Sequence, residues 1–211
     1  MVSPARSSVS TASAAPLRQR LIDVTVELVD REGIESLTLR RIARRAGVSH
    51  GAPLRHFDSL SDLLSEVAAH GFRLLSARID DYTGALPAGA SASRRLGAAG
   101  RGYVHVAVEN PGLFALMFRP DRLDCTNPRY RLDADAAFEQ LLGHVRTAQL
   151  AGWQADRDTR LLSGIVWSSV HGLAALWSQG AMQGPVPDAS LDDALALSLE
   201  LMMASGAARR T

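Results

Sequence analysis

Lysine is absent from this sequence: all 23 basic residues are arginine. A P-loop needs a lysine for its phosphates, so that nucleotide chemistry is excluded. The bias fits a GC-rich coding sequence, and it makes nearly every cation a rigid fork of donors suited to phosphate and guanine. Cysteine is almost absent too. Cys125 stands alone, so no intramolecular disulfide can form, which fits a reducing compartment. Aromatics make up only 5% and β-branched runs are scarce, while Ala and Leu carry most of the apolar volume. That balance predicts an all-α fold. There is no unbroken run of 18 apolar residues, and a membrane span is not expected. The Ser/Ala-rich first fifteen residues lack the apolar stretch of a signal peptide and read as a disordered arm. A cytoplasmic location follows as the expectation. Also missing are G-x-S-x-G, H-E-x-x-H and C-x-x-C, and no strand precedes Gly97, Gly100 and Gly102. No enzyme, metal site or cofactor is expected.

What is present is a chain of 211 residues with 46% hydrophobic content, enough for one large domain or two small ones. Its charge is uneven. Residues 1–60 hold nine Arg against six acids, a net of +3, whereas residues 61–208 hold twelve Arg against sixteen, a net of −4. A basic head on an acidic body places the boundary near residue 60 and divides the chain into 1–15, 16–60 and 61–208. Leu17, Leu21, Val24, Leu28 and Val29 form one face of a helix opened by Pro16 and ended by Gly33. Thr38 caps a second helix that stops at Gly47. Ser49 opens a shorter third one reaching about Phe57, and Ser59 or Ser61 a longer fourth. Residues 84–92 read as a loop. Further helices fit 93–109, 113–118, 132–151, 157–182 and 189–206, about nine in all.

The strongest signal is Thr38 to Phe57, TLRRIARRAGVSHGAPLRHF. It holds Arg40, Arg41, Arg44, Arg45, Arg55, His50 and His56 and no acid. Two short helices joined by Ala46-Gly47-Val48 match a helix-turn-helix, with Gly47 supplying the positive φ of the turn. Ile42, Ala43, Val48 and Phe57 can hold the two helices together. The second helix would enter the major groove with its first residues facing bases. A solvated basic face on an ordinary hairpin is the plain alternative. The cluster, the turn spacing and the flanking helices together argue against it.

Gly33-Ile34-Glu35, Thr38-Leu39-Arg40, Ile42-Ala43, Ala46-Gly47-Val48-Ser49, Gly51 and Arg55-His56-Phe57 resemble the N-terminal domain of the TetR/AcrR family over residues 17 to about 70. The resemblance implies an all-α homodimer. Three N-terminal helices would bind double-stranded operator DNA, and the rest a small-molecule effector and the partner subunit. It implies DNA contacts at Thr38 (a cap that also meets phosphate), Arg40, His50, Gly51, Ala52 and His56. Arg41, Arg44, Ser49, Leu54 and Arg55 complete the candidate interface. Three positions depart from the family pattern. Leu54 stands where Tyr contacts DNA, Pro53 where Leu is common, and Leu60 where Lys contacts phosphate. Two lost backbone contacts lower non-specific affinity. They keep open a helical ligand-binding or scaffold protein with a weakened DNA site.

In the body, Tyr103, Phe114, Met117, Phe118, Trp167 and His171 are the candidate ligand-binding residues, since aromatics with polar handles suit apolar pockets. Asn110 to Phe118 and Trp167-Ser168-Ser169-Val170-His171-Gly172 resemble a subgroup named for its Trp, His and Gly. Small residues recur every four at Gly164, Ser168 and Gly172. Leu191, Ala194, Leu195, Leu197 and Leu201 give the last helix a broad apolar face. Two such helices per subunit would build a four-helix dimer interface. Cys125, near Arg122 and Arg129, reads as a plain loop cysteine ahead of a redox sensor.

Overall fold

The computed structural model describes residues 16–204; the arm expected over 1–15 lies outside this range. Eight α-helices run in order: α1 Leu17–Glu32, α2 Leu39–Arg45, α3 Leu60–Gly84, α4 Ala92–Glu109, α5 Pro111–Met117, α6 Pro128–Leu150, α7 Thr159–Ser178 and α8 Leu191–Ala204. Two single-turn 3-10 helices, Ile34–Ser36 and Pro53–Arg55, complete the set. The all-α expectation is met, with no strand among the described residues.

Side chains cap many of the starts, each accepting from a backbone N–H of the first turn. Thr38 Oγ1 takes the Arg41 N–H at 3.2 Å and Ser59 Oγ that of Asp62 at 3.0 Å. Asn127 Oδ1 takes two, from Arg129 and Tyr130, at 3.0 Å each. At the end of α2, Gly47 sits at φ +69°. The Val48 N–H reaches the Ala43 carbonyl at 3.0 Å and the Gly47 N–H that of Arg44 at 3.2 Å, the paired bonds of a Schellman stop.

The expected third helix over 49–57 does not form as an α-helix. Ala52 donates to Ser49, Arg55 to Ala52 and His56 to Pro53, all three-residue steps. Pro53 has no N–H to donate, and Gly51 has a high entropic cost in a helix. The segment therefore winds as turns and a tight 3-10 coil, which accounts for the count of eight α-helices rather than nine.

The long helix α3, 25 residues and about 37 Å, is the spine. It packs on α1, α4, α5 and α6. Its early residues Leu63, Leu64 and Val67 and its later ones Phe72, Leu75 and Ile79 belong to one apolar cluster, which also takes in Leu21 of α1 and Leu199 of α8. The helix α3 starts at Leu60, and the apolar core takes residues from both sides of that point. The helix α7 packs against α4, α6 and α8. By length and composition it is apolar enough to cross a membrane, with mean hydropathy 1.3. Its apolar run is broken by Ser and Gly, so a search for unbroken apolar residues passes over it.

Candidate functional site

The arginines of the acid-free segment divide into two groups. Arg41 pairs with Glu32 and Arg45 with Glu27 at 3.0 Å, so these two tie α2 to α1. Arg40, Arg44 and Arg55 are exposed and have no acid partner among the described residues. They leave a surface of uncompensated positive charge. Thr38, Ser49, His50, Gly51, Leu54 and His56 are exposed on the same segment, Leu54 to 57%. Of the eleven candidate DNA contacts only Ala52 is buried. It packs inward and leaves Gly51 and the surrounding loop outward. Phe57, at the end of the coil, is buried, with the Arg18 guanidinium 5.1 Å over its ring.

The body encloses a cavity of about 260 Å³ between α3, α4, α6, α7 and α8. Tyr103, Phe118 and Trp167 line it as the sequence suggests; Phe114, Met117 and His171 do not. Phe114 is buried behind the wall. It stacks on His171 at 5.2 Å and meets the edges of Tyr103 and Phe118 at 5.6 and 5.2 Å. Met117 is sealed in the core. His171 acts through Tyr103: its Nδ1 lies 2.7 Å from the phenol oxygen, to which Trp167 Nε1–H also donates at 3.0 Å. Burial raises the Tyr103 phenol far above its ordinary value, against the opposing pull of the Trp167 bond. Burial also depresses His171. The pair therefore stays neutral, joined by one hydrogen bond between the Tyr103 hydroxyl and His171 Nδ1.

Sequence reasoning missed the wall supplied by α6. Tyr130, Ala134, Ala137, Phe138, Leu141 and His144 all face the cavity, at i, i+4, i+7, i+8, i+11 and i+14. That stripe was visible as an amphipathic face. What it packs against follows only from the fold.

A polar seam joins head and body. Leu113 N–H, in the first turn of α5, donates to Asp30 Oδ1 of α1 at 2.9 Å. Arg119 and Arg122 both grip Glu35, and the Arg119 and Arg122 hydrogen bonds hold its carboxyl below the usual range. Asp124 exchanges bonds with Ser65 of α3. Asn127 Nδ2 donates to Asp62 Oδ1 at 2.8 Å, and the buried Glu66 pairs with Arg18 at 2.9 Å. The connector 118–127 is thus bonded to both parts, and Phe118 at its start and Tyr130 in the first turn of α6 beyond it are cavity walls.

A capped helix bearing the exposed Arg40 and Arg44, a glycine turn and a coil bearing Arg55 form a helix-turn-helix head, with a ligand-sized cavity in the helical body behind it. Residues 21–67 match the sequence model of bacterial regulatory proteins of the tetR family. Residues 96–202 match that of the tetracyclin repressor-like C-terminal domain. The chain belongs to the TetR family. It is 27% identical over 204 residues to the HTH-type transcriptional regulator Rv0681 of Mycobacterium tuberculosis, covering 96% of this chain and 87% of that one. With AcrR of Shigella flexneri it shares 43% over 54 residues, 26% of this chain and 25% of the relative. The chain thus spans only about a quarter of the length of AcrR and of other curated relatives that it matches through the head alone. A solved structure from Rhodococcus sp. RHA1 superposes with a TM-score of 0.80 at 26% identity, covering 94% of this chain and all of that one.

Proposed function

We propose that this chain is a DNA-binding transcriptional regulator, a cytoplasmic homodimeric repressor released from an inverted-repeat operator by a small, mostly apolar effector. The observation that carries the reading is the clasp between the arginine-bearing head and the cavity wall: Glu35 held by Arg119 and Arg122, and Asp30 by the Leu113 N–H. A ligand that displaces Phe118 or Tyr130 pulls on the connector, and through it on the head.

Dimerisation rests on the outer faces of α7 and α8. Leu161, Ile165, Leu176 and Leu197 are exposed in the single chain. A Cβ built on Gly164 or Gly172 meets open space. Apolar surface of this extent marks an interface, and a two-fold dimer buries it against itself. Two heads would then read half-sites about 34–36 Å apart, or a multiple of that.

Ligand shifts the equilibrium only by its difference in affinity for the two head spacings. A coupling of about 1–3 kcal/mol weakens operator binding roughly 5- to 150-fold, and operator weakens ligand binding by the same factor. Titrating each in the presence of the other tests this. Equal, reciprocal weakening is expected. Ligand binding with no DNA binding at all makes the chain a ligand-binding protein instead.

A further inference from the structure

The cavity's shape and lining carry an inference about its occupant, one that rests on the effector reading above. Its long wall is the α6 stripe from Tyr130 to His144, fourteen residues and therefore about 21 Å at ~1.5 Å each. The opposing walls, Phe72 to Ile79 on α3 and Leu96 to Tyr103 on α4, each run seven residues, about 10 Å. With a volume of about 260 Å³, the space is long and narrow. Ala134, Ala137, Ala99 and Gly100 keep its middle open.

The polar lining is sparse. Among the described residues no Asp, Glu or Arg lines the cavity, so a charge placed inside would lose its hydration without gaining a partner. Trp167 donates its one N–H to Tyr103, and the Tyr103 hydroxyl is engaged further by His171 Nδ1. At one end burial raises the Tyr130 phenol above its ordinary value, with the Cys125 thiol of the connector acting in the same sense. At the other end His144 makes no hydrogen bond among the described residues. Burial keeps its imidazole neutral, while Asp80 and Arg95 pull it in opposite senses. A neutral imidazole offers one donor and one acceptor.

We infer that the cavity is a tunnel for an unbranched aliphatic chain whose single uncharged polar end group, a hydroxyl or carbonyl, hydrogen-bonds to His144. An extended carbon chain built from C–C bonds of about 1.5 Å advances roughly 1.25 Å per bond, so 10–21 Å accommodates about eight to sixteen carbons. The chain runs along α6 toward Tyr130, and its far end presses on Phe118 and Tyr130, which flank the connector.

The test uses the purified full-length protein with primary alcohols of six to eighteen carbons, followed by Trp fluorescence and calorimetry. Affinity should rise about fourfold per added methylene, reach a maximum between about eight and sixteen carbons, and then fall. Decanol should bind several-fold more tightly than decane and more tightly than decanoate at pH 8. His144→Leu should bring the decanol-to-decane ratio close to one, whereas Tyr130→Phe should preserve it. Ala137→Phe, which narrows the middle, should move the maximum to shorter chains; circular dichroism confirms that each variant is folded. The inference is overturned if compact ring compounds bind and straight chains do not, if decanoate outbinds decanol, or if the ratio follows Tyr130 rather than His144. In all those cases the apolar-effector reading survives. If no apolar compound of any shape binds, that reading fails as well.

Discussion

Adding one methyl group at Gly112 strikes the joint between head and body. Gly112 lies in the first turn of α5, directly against α1. A Cβ there would lie 2.5 Å from the Val29 carbonyl oxygen, 2.7 Å from its carbon and 2.8 Å from Asp30 Cα. All three are backbone atoms, so no flexible side chain can yield. For Gly112→Ala the helix must retreat from α1, stretching the 2.9 Å bond from Leu113 N–H to Asp30. Overpacking of this kind costs about 1–3 kcal/mol, and loss of the hydrogen bond adds about 1 kcal/mol. The control is Gly143→Ala in the middle of α6, where a Cβ meets nothing within 4 Å; replacing a helical glycine there should stabilise by about 0.5–1 kcal/mol. Urea unfolding of both variants reads the two signs. Operator affinity by fluorescence anisotropy should fall for Gly112→Ala, whose head is displaced, and hold for Gly143→Ala. Equal stability and equal affinity for the two variants would refute the claim that α5 is wedged against α1.

The split among the head arginines is testable by salt titration. Arg44→Ala should weaken binding to all sequences alike and reduce the salt slope by about one, whereas Arg45→Ala, which loses an exposed pair with Glu27 worth about 0–1 kcal/mol, should leave the slope closer to wild type. Ile165→Glu places a charge on the exposed face of α7 and should shift the sedimenting species from dimer toward monomer at micromolar concentration; an unchanged dimer would move the interface elsewhere. Burial, the first cause in each case, holds His70, His144 and His171 below the ordinary histidine value of 6.5. The folded state then binds fewer protons than the unfolded one, so their stabilisation is present above pH 6.5 and is lost as pH falls from there through the depressed values. Urea midpoints between pH 5 and 8 should rise with pH, and a flat profile would contradict the burial of these rings.

The helix ends and the turn were legible because they depend on local chemistry. Thr38, Ser59 and Gly47 do in space what their residue types suggest. Pro53 was legible in principle as well: a proline lacking its N–H, two residues after a glycine, turns the expected third helix into a 3-10 coil. The partition of the arginines was not legible, because Glu27 and Glu32 meet Arg45 and Arg41 only when α1 and α2 cross. The cavity was half legible. Aromatics mark the region, but whether Phe114 lines the space or supports Tyr103 from behind depends on the α4–α5–α7 packing. The contribution of α6 required knowing that it runs beside α3. The clasp of Glu35 by Arg119 and Arg122 spans more than 80 residues of sequence, and no local pattern announces it.

In the proposed function the exposed arginines of α2 and the following coil meet DNA, and two heads act together across a two-fold axis. Selection of bound fragments from genomic DNA, followed by anisotropy across a salt series, tests it most directly. An inverted repeat is expected, with an affinity that falls steeply and log-linearly with salt as counterions are released. Recovery of no common sequence, or an affinity indifferent to salt, would contradict it.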